Sequence, residues 1–196
     1  MQALLAAHQA GQLRANPVLV ISNRAAAAGL ETARSFGVRT EVVSFKDVAA
    51  GEARVLELAR EEQVDLVVLA GFMRVISATL VHAFRHRIIN IHPSLLPSFP
   101  GLHAQRQALE YGVRVSGCTT HFVDTGVDTG PIILQAAVPV EPDDAEDSLS
   151  ARILKQEHRI LVASVNLWAE GRLTVVDRRV LGVGGEDDMG PGEDIV

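Results

Sequence analysis

Asn90 and His92 stand two residues apart at the end of an apolar run, in the stretch RIINIHPSLLPSFPG that covers 87–101. On an extended backbone such residues project to the same side. An amide and an imidazole would then reach one point in space while Ile91 turns into the sheet. An amide NH2 is a fixed donor, and an imidazole with its ordinary pKa of about 6.5 can donate, accept or carry a proton near neutral pH. The pair suits a carbonyl carbon under attack, whose oxygen becomes an oxyanion while a proton moves. Such a histidine needs a carboxylate to orient or charge it, and Asp128, in the loop DTGVDTGP at 124–131, is the candidate. Pro93, Pro97, Pro100 and Gly101 stiffen or bend the segment that follows. An Asn-x-His that merely caps this proline loop would have the same spacing, so spacing alone leaves both readings open.

Glu157 is the next residue of interest. It lies four residues after Ile153 and three before Ile160, inside the helical apolar stripe Leu149, Ile153, Ile160, Leu161, Leu167. A carboxylate facing inward must find partners. Arg152 or Lys155 bending round would serve; so would a hydroxyl-rich ligand such as a ribose. Among the other histidines, His82 and His86 sit beside Arg85 and Arg87 on an expected helix and read as solvated. His103 opens a helix as a cap, and His121 alternates in a strand as either a satisfied buried group or a support for the site. Apart from His82 and His86, none has ligand spacing, so no metal is expected.

The elements that must position these residues alternate along the chain. An amphipathic helix over 1–12 precedes an apolar strand at 17–22, an Ala-rich helix ending at Gly37, a strand at 39–45, a helix at 49–63 and a strand at 64–72 that is apolar on both faces. This rhythm predicts an α/β fold, a Rossmann-like, mostly parallel sheet with helices on both faces. A helix over SATLVHAFR, the strand RIINI and a helix over HAQRQALEYG follow. The strands SGCTTHFV and GPIILQAAVPV are then too close together for an intervening helix. A long helix covers about 144–170, with acidic residues in its first turn, where the helix dipole favours them. AGFMR, NIHPS and DTGVDTGP all fall at the expected carboxyl ends of strands, where open sheets of this kind bind ligands.

Composition sets outer limits. The chain has 196 residues, 47% of them hydrophobic, enough for one domain with an ample core. A single cysteine, Cys118, excludes an internal disulfide framework and fits a reducing compartment, so a cytoplasmic location is expected. The longest apolar runs are too short to span a bilayer, so no membrane association is expected. The net charge is −6, and the five acidic residues among the last sixteen leave the body near −1, which does not mark a nucleic-acid binder. One domain over 1–180 is expected, followed by an acidic, Gly-rich mobile tail over 181–196.

VVLAGFMRVIS, NIHPSLLPSFPG, THFVDTGVDTGPIILQ and EDSLSARILKQEH together resemble the phosphoribosylglycinamide formyltransferases, or GAR transformylases, of the folate-dependent formyltransferase superfamily. FPGLHAQRQAL narrows the likeness to that branch, and it covers 1 to about 178. The resemblance implies transfer of a formyl group from the co-substrate 10-formyltetrahydrofolate to the amine of glycinamide ribonucleotide. Asn90, His92 and Asp128 would be catalytic. Met73, Arg74, Val75, Ile76, Ile88, Asn90, Val123, Asp124 and Asp128 would bind folate; Gly71, Pro93 and Glu157 would bind the ribonucleotide. It also allows a homodimer. Two departures stand out. The family begins with a central strand and a Gly-rich phosphate loop, whereas this chain opens at MQALLAAHQ, so a first central strand is expected to be missing. Leu154 stands where relatives often carry a polar residue. A formyltetrahydrofolate hydrolase, or a folate-binding module without transferase activity, is the alternative.

Overall fold

The computed structural model describes residues 1–184. Its elements run α1 Gln2–Gln9, β1 Leu19–Ser22, α2 Ala28–Ser35, β2 Arg39–Val42, α3 Val48–Glu61, β3 Val67–Leu69, α4 Ala78–Ala83, β4 Ile88–His92, α5 Ala104–Tyr111, β5 Val115–Phe122, β6 Ile132–Pro139, α6 Glu146–Ala169, β7 Thr174–Val176 and β8 Arg179–Leu181. Local chemistry explains several boundaries. Asp47 caps α3 by accepting the Ala50 N–H at 3.1 Å, and Ser77 is the N-cap of α4. His86 lies beyond α4 with a left-handed φ of 54°, stacked at 5.8 Å on Phe122, so it is not the solvated helical residue expected. The β7–β8 hairpin carried no turn signal strong enough to be read beforehand. The expected tail at 181–196 lies outside the described residues from 185 onward; Leu181 itself pairs with Thr174 in that hairpin.

The α/β class holds, with helices against both faces of the strands and a sheet of mixed direction. β3 and β4 are parallel, β4–β5 and β5–β6 antiparallel, β6–β8 parallel and β8–β7 antiparallel, in the order β3-β4-β5-β6-β8-β7. The parallel pairs β1–β2 and β3–β4 are the ones linked by single helical crossovers. Between β5 and β6 only a short loop returns the chain, which forces reversal of direction. β1 and β2 form a separate parallel pair, Leu19 against Arg39 through Ser22 against Val42, with no hydrogen-bonded link from β1 to β3. This division falls where the resemblance expects a central strand. α3 spans it, because Val55 packs against both the cluster of Val43, Phe45 and Leu58, which Leu19 and Ile21 of β1 also cover, and the cluster around α4, which Val67 and Leu69 of β3 cover.

Alternation along β4 places the site. Ile88 joins the cluster formed with Leu80, Val81 and Phe84 around α4, whereas Ile89 joins Leu149, Ile153, Ile160 and Leu161 of α6 on the opposite face. Burying each such aliphatic side chain contributes roughly 1.5–3 kcal/mol. A one-residue slip of β4 would put both isoleucines on the wrong face, so the register that fixes Asn90 and His92 is strongly specified.

The loop between β5 and β6 depends on one glycine. A Cβ on Gly130 would fall 1.8 Å from the Phe122 carbonyl oxygen, which lets the backbone of the returning strand lie flat against β5. Gly130→Ala is therefore expected to lose about 2–3 kcal/mol of stability or more. Urea unfolding checks this, and a wild-type midpoint would show that the loop relaxes around the methyl group.

Candidate active site

Asp128 is the centre of the arrangement. Its carboxylate Oδ2 lies 3.3 Å from His92 Nδ1 and accepts the Gly101 N–H at 2.8 Å, while Oδ1 lies 3.6 Å from His121 Nε2. The residue has a left-handed φ of 52°, a conformation that Asp tolerates better than most L residues. Facing His121, and then accepting the Gly101 N–H and feeling the charge of His92, holds the carboxyl below its ordinary range, although burial acts the other way.

His92 is 4% exposed, and its Nε2 lies 2.8 Å from the Phe99 carbonyl oxygen. Both ring nitrogens therefore face acceptors, and only the doubly protonated ring could donate to both. The Phe99 carbonyl is held there by a stapled loop. Thr119 Oγ1 donates to Ser94 O at 2.7 Å and accepts the Leu96 N–H at 3.0 Å, and Gln135 Nε2 donates to Leu96 O at 2.9 Å. Ser94 Oγ donates to Ser98 O at 2.5 Å. Thus β5 and β6 hold the proline loop that presents Phe99 O to His92 and Gly101 N–H to Asp128.

His121 stands between Asn90 and Asp128. Its Nδ1 lies 2.9 Å from the Phe122 carbonyl oxygen, which can only accept, so Nδ1 carries a proton, and Nε2 accepts from Asn90 when bare or donates toward Asp128 when protonated. The Asn90 amide Nδ2 donates to the bare Nε2 at 3.2 Å. This contact is closer than the 3.6 Å approach of Nε2 to Asp128, which becomes a hydrogen bond only in a protonated ring. The remaining amide hydrogen of Asn90 is left to face the cleft.

That cleft is open to solvent and is lined by Asn90, His121, Val123, Asp124, Val127 and Asp128 together with Leu69, Phe72, Arg74, Val75 and Ile76. Of the residues picked out in the sequence, Asn90, Asp128, Arg74, Val75, Ile76, Val123 and Asp124 come together here, and His92 adjoins through Asp128. Asp124 also closes its own loop, accepting the Gly126 N–H at 3.0 Å and the Thr129 hydroxyl at 2.7 Å. Met73 lies next to this wall and is 75% exposed, whereas Ile88 is buried in the core and does not line the cleft. Gly71, Pro93 and Glu157 are not among the lining residues.

Glu157 does face inward on α6, and burial pushes its carboxyl up, opposed by the Met1 amine. Arg152 is not its partner, being bonded to Asp144 at 2.6 Å and to Pro139 O at 2.8 Å. Leu154 is 47% exposed. Among the described residues no group of three or more His, Cys, Asp or Glu could hold a metal, and no helix is long and apolar enough to cross a membrane. Sequence reasoning missed Thr119, Gln135 and the Phe99 carbonyl. Thr119 and Gln135 face each other across β5–β6, which only a paired-strand register reveals.

Comparison with known proteins adds a family. The Formyl transferase family model matches residues 1–165. The chain is 55% identical over 163 residues to the Trifunctional purine biosynthetic protein adenosine-3 of Drosophila melanogaster, covering 81% of this chain and 12% of that one. To the Phosphoribosylglycinamide formyltransferase of Escherichia coli (strain K12) it is 44% identical over 176 residues, covering 88% of this chain and 83% of the relative. The chain thus spans about an eighth of the length of the trifunctional insect relatives. The crystal structure of glycinamide ribonucleotide transformylase 1 from Symbiobacterium toebii superposes with a TM-score of 0.91 at 50% identity, over 93% of this chain and 88% of that one.

Because the Asp128 carboxyl is lowered on folding, its contribution is fully present above its unfolded pKa of about 3.9 and is lost as pH falls through the lower folded value. Urea unfolding at pH 7, 5, 4 and 3 should show wild type more stable than Asp128→Asn at the two upper values, with the gap closing below about pH 4. A gap independent of pH would show that the charge of Asp128 contributes nothing to folding.

Proposed function

The chain belongs to the formyl transferase family, and we propose that it transfers the formyl group of 10-formyltetrahydrofolate to the amine of glycinamide ribonucleotide, a step of purine biosynthesis. The observation that carries this reading is the Asp128 carboxylate set between His92 and His121, with the Asn90 amide beside it on the cleft. The amine nitrogen attacks the formyl carbon, and its bond forms as the carbonyl oxygen takes up negative charge. The free amide hydrogen of Asn90 meets that oxyanion, and His92 supports the site through Asp128, which lines the cleft beside Asn90. As the bond from the formyl carbon to N10 breaks, the proton given up by the attacking amine passes to N10 by way of the Asp128 carboxylate, which His92 orients.

Arg74, Val75, Ile76, Val123 and Asp124 form the walls for the pterin, Met73 flanks its mouth, and Ile88 supports it from beneath. Glu157, with Gly71 and Pro93, is assigned to the ribonucleotide. Its half-buried carboxylate suits a pair of ribose hydroxyls as hydrogen-bond donors. The free, buried thiol of Cys118 fits a reducing, cytoplasmic setting.

The test is production of tetrahydrofolate from 10-formyltetrahydrofolate with and without glycinamide ribonucleotide. Product formed only with the ribonucleotide supports transfer; equal release of formate without it would make the protein a hydrolase. His92→Ala is expected to lower kcat by roughly 10²–10⁴-fold, while tetrahydrofolate binding, followed by titration calorimetry, persists. Unchanged turnover in that variant would remove His92 from the chemistry.

A further inference from the structure

Glu52 is a carboxylate buried to 3% exposure in the second turn of α3, outside the cleft lining. It faces Ser77: Oε1 accepts the Ser77 N–H at 2.7 Å, and Oε2 accepts the Ser77 hydroxyl. A buried carboxylate is strongly disfavoured unless its oxygens are satisfied, so this pairing fixes Ser77 against α3. Ser77 in turn begins α4, and it closes the segment that leaves β3 and carries Arg74, Val75 and Ile76 to the cleft.

That segment has no regular secondary structure from 70 to 77. Gly71 adopts a left-handed φ of 72°, and Met73 and Val75 are 75% and 67% exposed. Its other anchors lie on the same support. Arg74 Nη1 donates to the Phe45 carbonyl at 3.3 Å, and the Phe72 ring meets the Phe45 ring edge to face at 5.6 Å. Gly51, next to Glu52, permits this, because a Cβ there would meet Ser44 O at 2.7 Å and the Phe45 ring at 3.1 Å. One wall of the cleft is therefore held by the start of α3 and the residues just before it. Glu52 supplies two charge-assisted hydrogen bonds among these ties, beside the one from Arg74, and such bonds are stronger than neutral ones.

We propose that Glu52 is a positioning residue: through Ser77 it holds the 71–76 wall in its ligand-binding shape and so sets the affinity of the cleft for the folate co-substrate. It touches neither substrate nor reacting atom. The identity of the ligand rests on the formyl-transfer reading, whereas the anchoring does not.

Glu52→Gln keeps one acceptor but turns an amide NH2 toward a donor, and Ser77→Ala removes the hydroxyl while leaving the backbone bond. Each variant is compared with wild type in steady-state kinetics and in hydrogen exchange of the 71–77 amides. For Glu52→Gln the KM for 10-formyltetrahydrofolate should rise roughly tenfold, with kcat at saturating donor within about twofold of wild type. The 71–77 amides should exchange faster while those of β4 and α6 do not. Ser77→Ala should move both readouts in the same direction by less, and it carries the test if Glu52→Gln does not fold. A fall in kcat at unchanged donor KM, or unchanged exchange at 71–77, overturns the proposal. Should wild type transfer no formyl group, the functional reading fails by itself and exchange at 71–77 alone decides the anchoring.

Discussion

A single carboxylate organises this molecule. Asp128 is largely removed from water and lies within reach of His92, His121 and the Gly101 N–H. A charge in that position is tolerable only if each oxygen has a partner. The partners come from three places in the chain: the end of β4, the proline loop and the end of β5. The antiparallel pairing of β4 with β5 brings the two histidine-bearing strands together, since Asn90 lies opposite His121 and His92 opposite Thr119. The same register lets Thr119 staple the loop that supplies Phe99 and Gly101. A displacement of β5 by one residue would bury the wrong side chains and scatter every one of these contacts.

Much of this was legible beforehand, and the reasons differ by element. The strand-helix alternation was readable because β1, β3 and β4 are apolar runs bounded by turn residues, and α6 keeps a continuous stripe from Leu149 to Leu167. Asn90, His92 and Asp128 stood out as candidates because two polar groups at spacing two end an otherwise apolar strand. A cap on the proline loop would share that spacing, and the structure brings the three together. The direction of β5 was not readable. Alternation fixes which face a residue occupies and says nothing about whether the neighbouring strand runs up or down. The loop DTGVDTGP was expected beyond the carboxyl ends of parallel strands. It instead follows Phe122, opposite Ile89 near the start of β4, and reaches the site by folding back. His121 was left undecided for the same reason, since its partner Asn90 is identified only once the two strands are paired.

Glu157 shows the opposite balance. Its place inside the apolar stripe was correctly read from periodicity, and its carboxyl is indeed partly buried, yet periodicity cannot name what it meets. Arg152, one of the two basic candidates on the same helix, is committed to Asp144. Glu157 instead shares its surroundings with the amine of Met1, each shifting the other's titration. A partner that lies outside the helix is invisible to periodicity, which fixes only the face on which a side chain sits.

The tautomer of His121 gives the site a direction. With the Phe122 carbonyl accepting from Nδ1, an Nε2 that carries no proton is an acceptor, and the Asn90 amide then presents its nitrogen to it. Rotated by half a turn, Asn90 would set its oxygen against that lone pair, and two acceptors would then face each other. In that tautomer the donor aimed at the cleft is fixed by a carbonyl two hydrogen bonds away from Asn90, relayed through the imidazole. An oxyanion needs donors already oriented when the charge develops, because a donor that must first rotate returns part of its benefit as reorganisation. Burial of His121 at 2% exposure keeps water from competing for Nε2. Asn90 is therefore polarised toward the cleft before any ligand arrives, and the polarity originates in the backbone of β5.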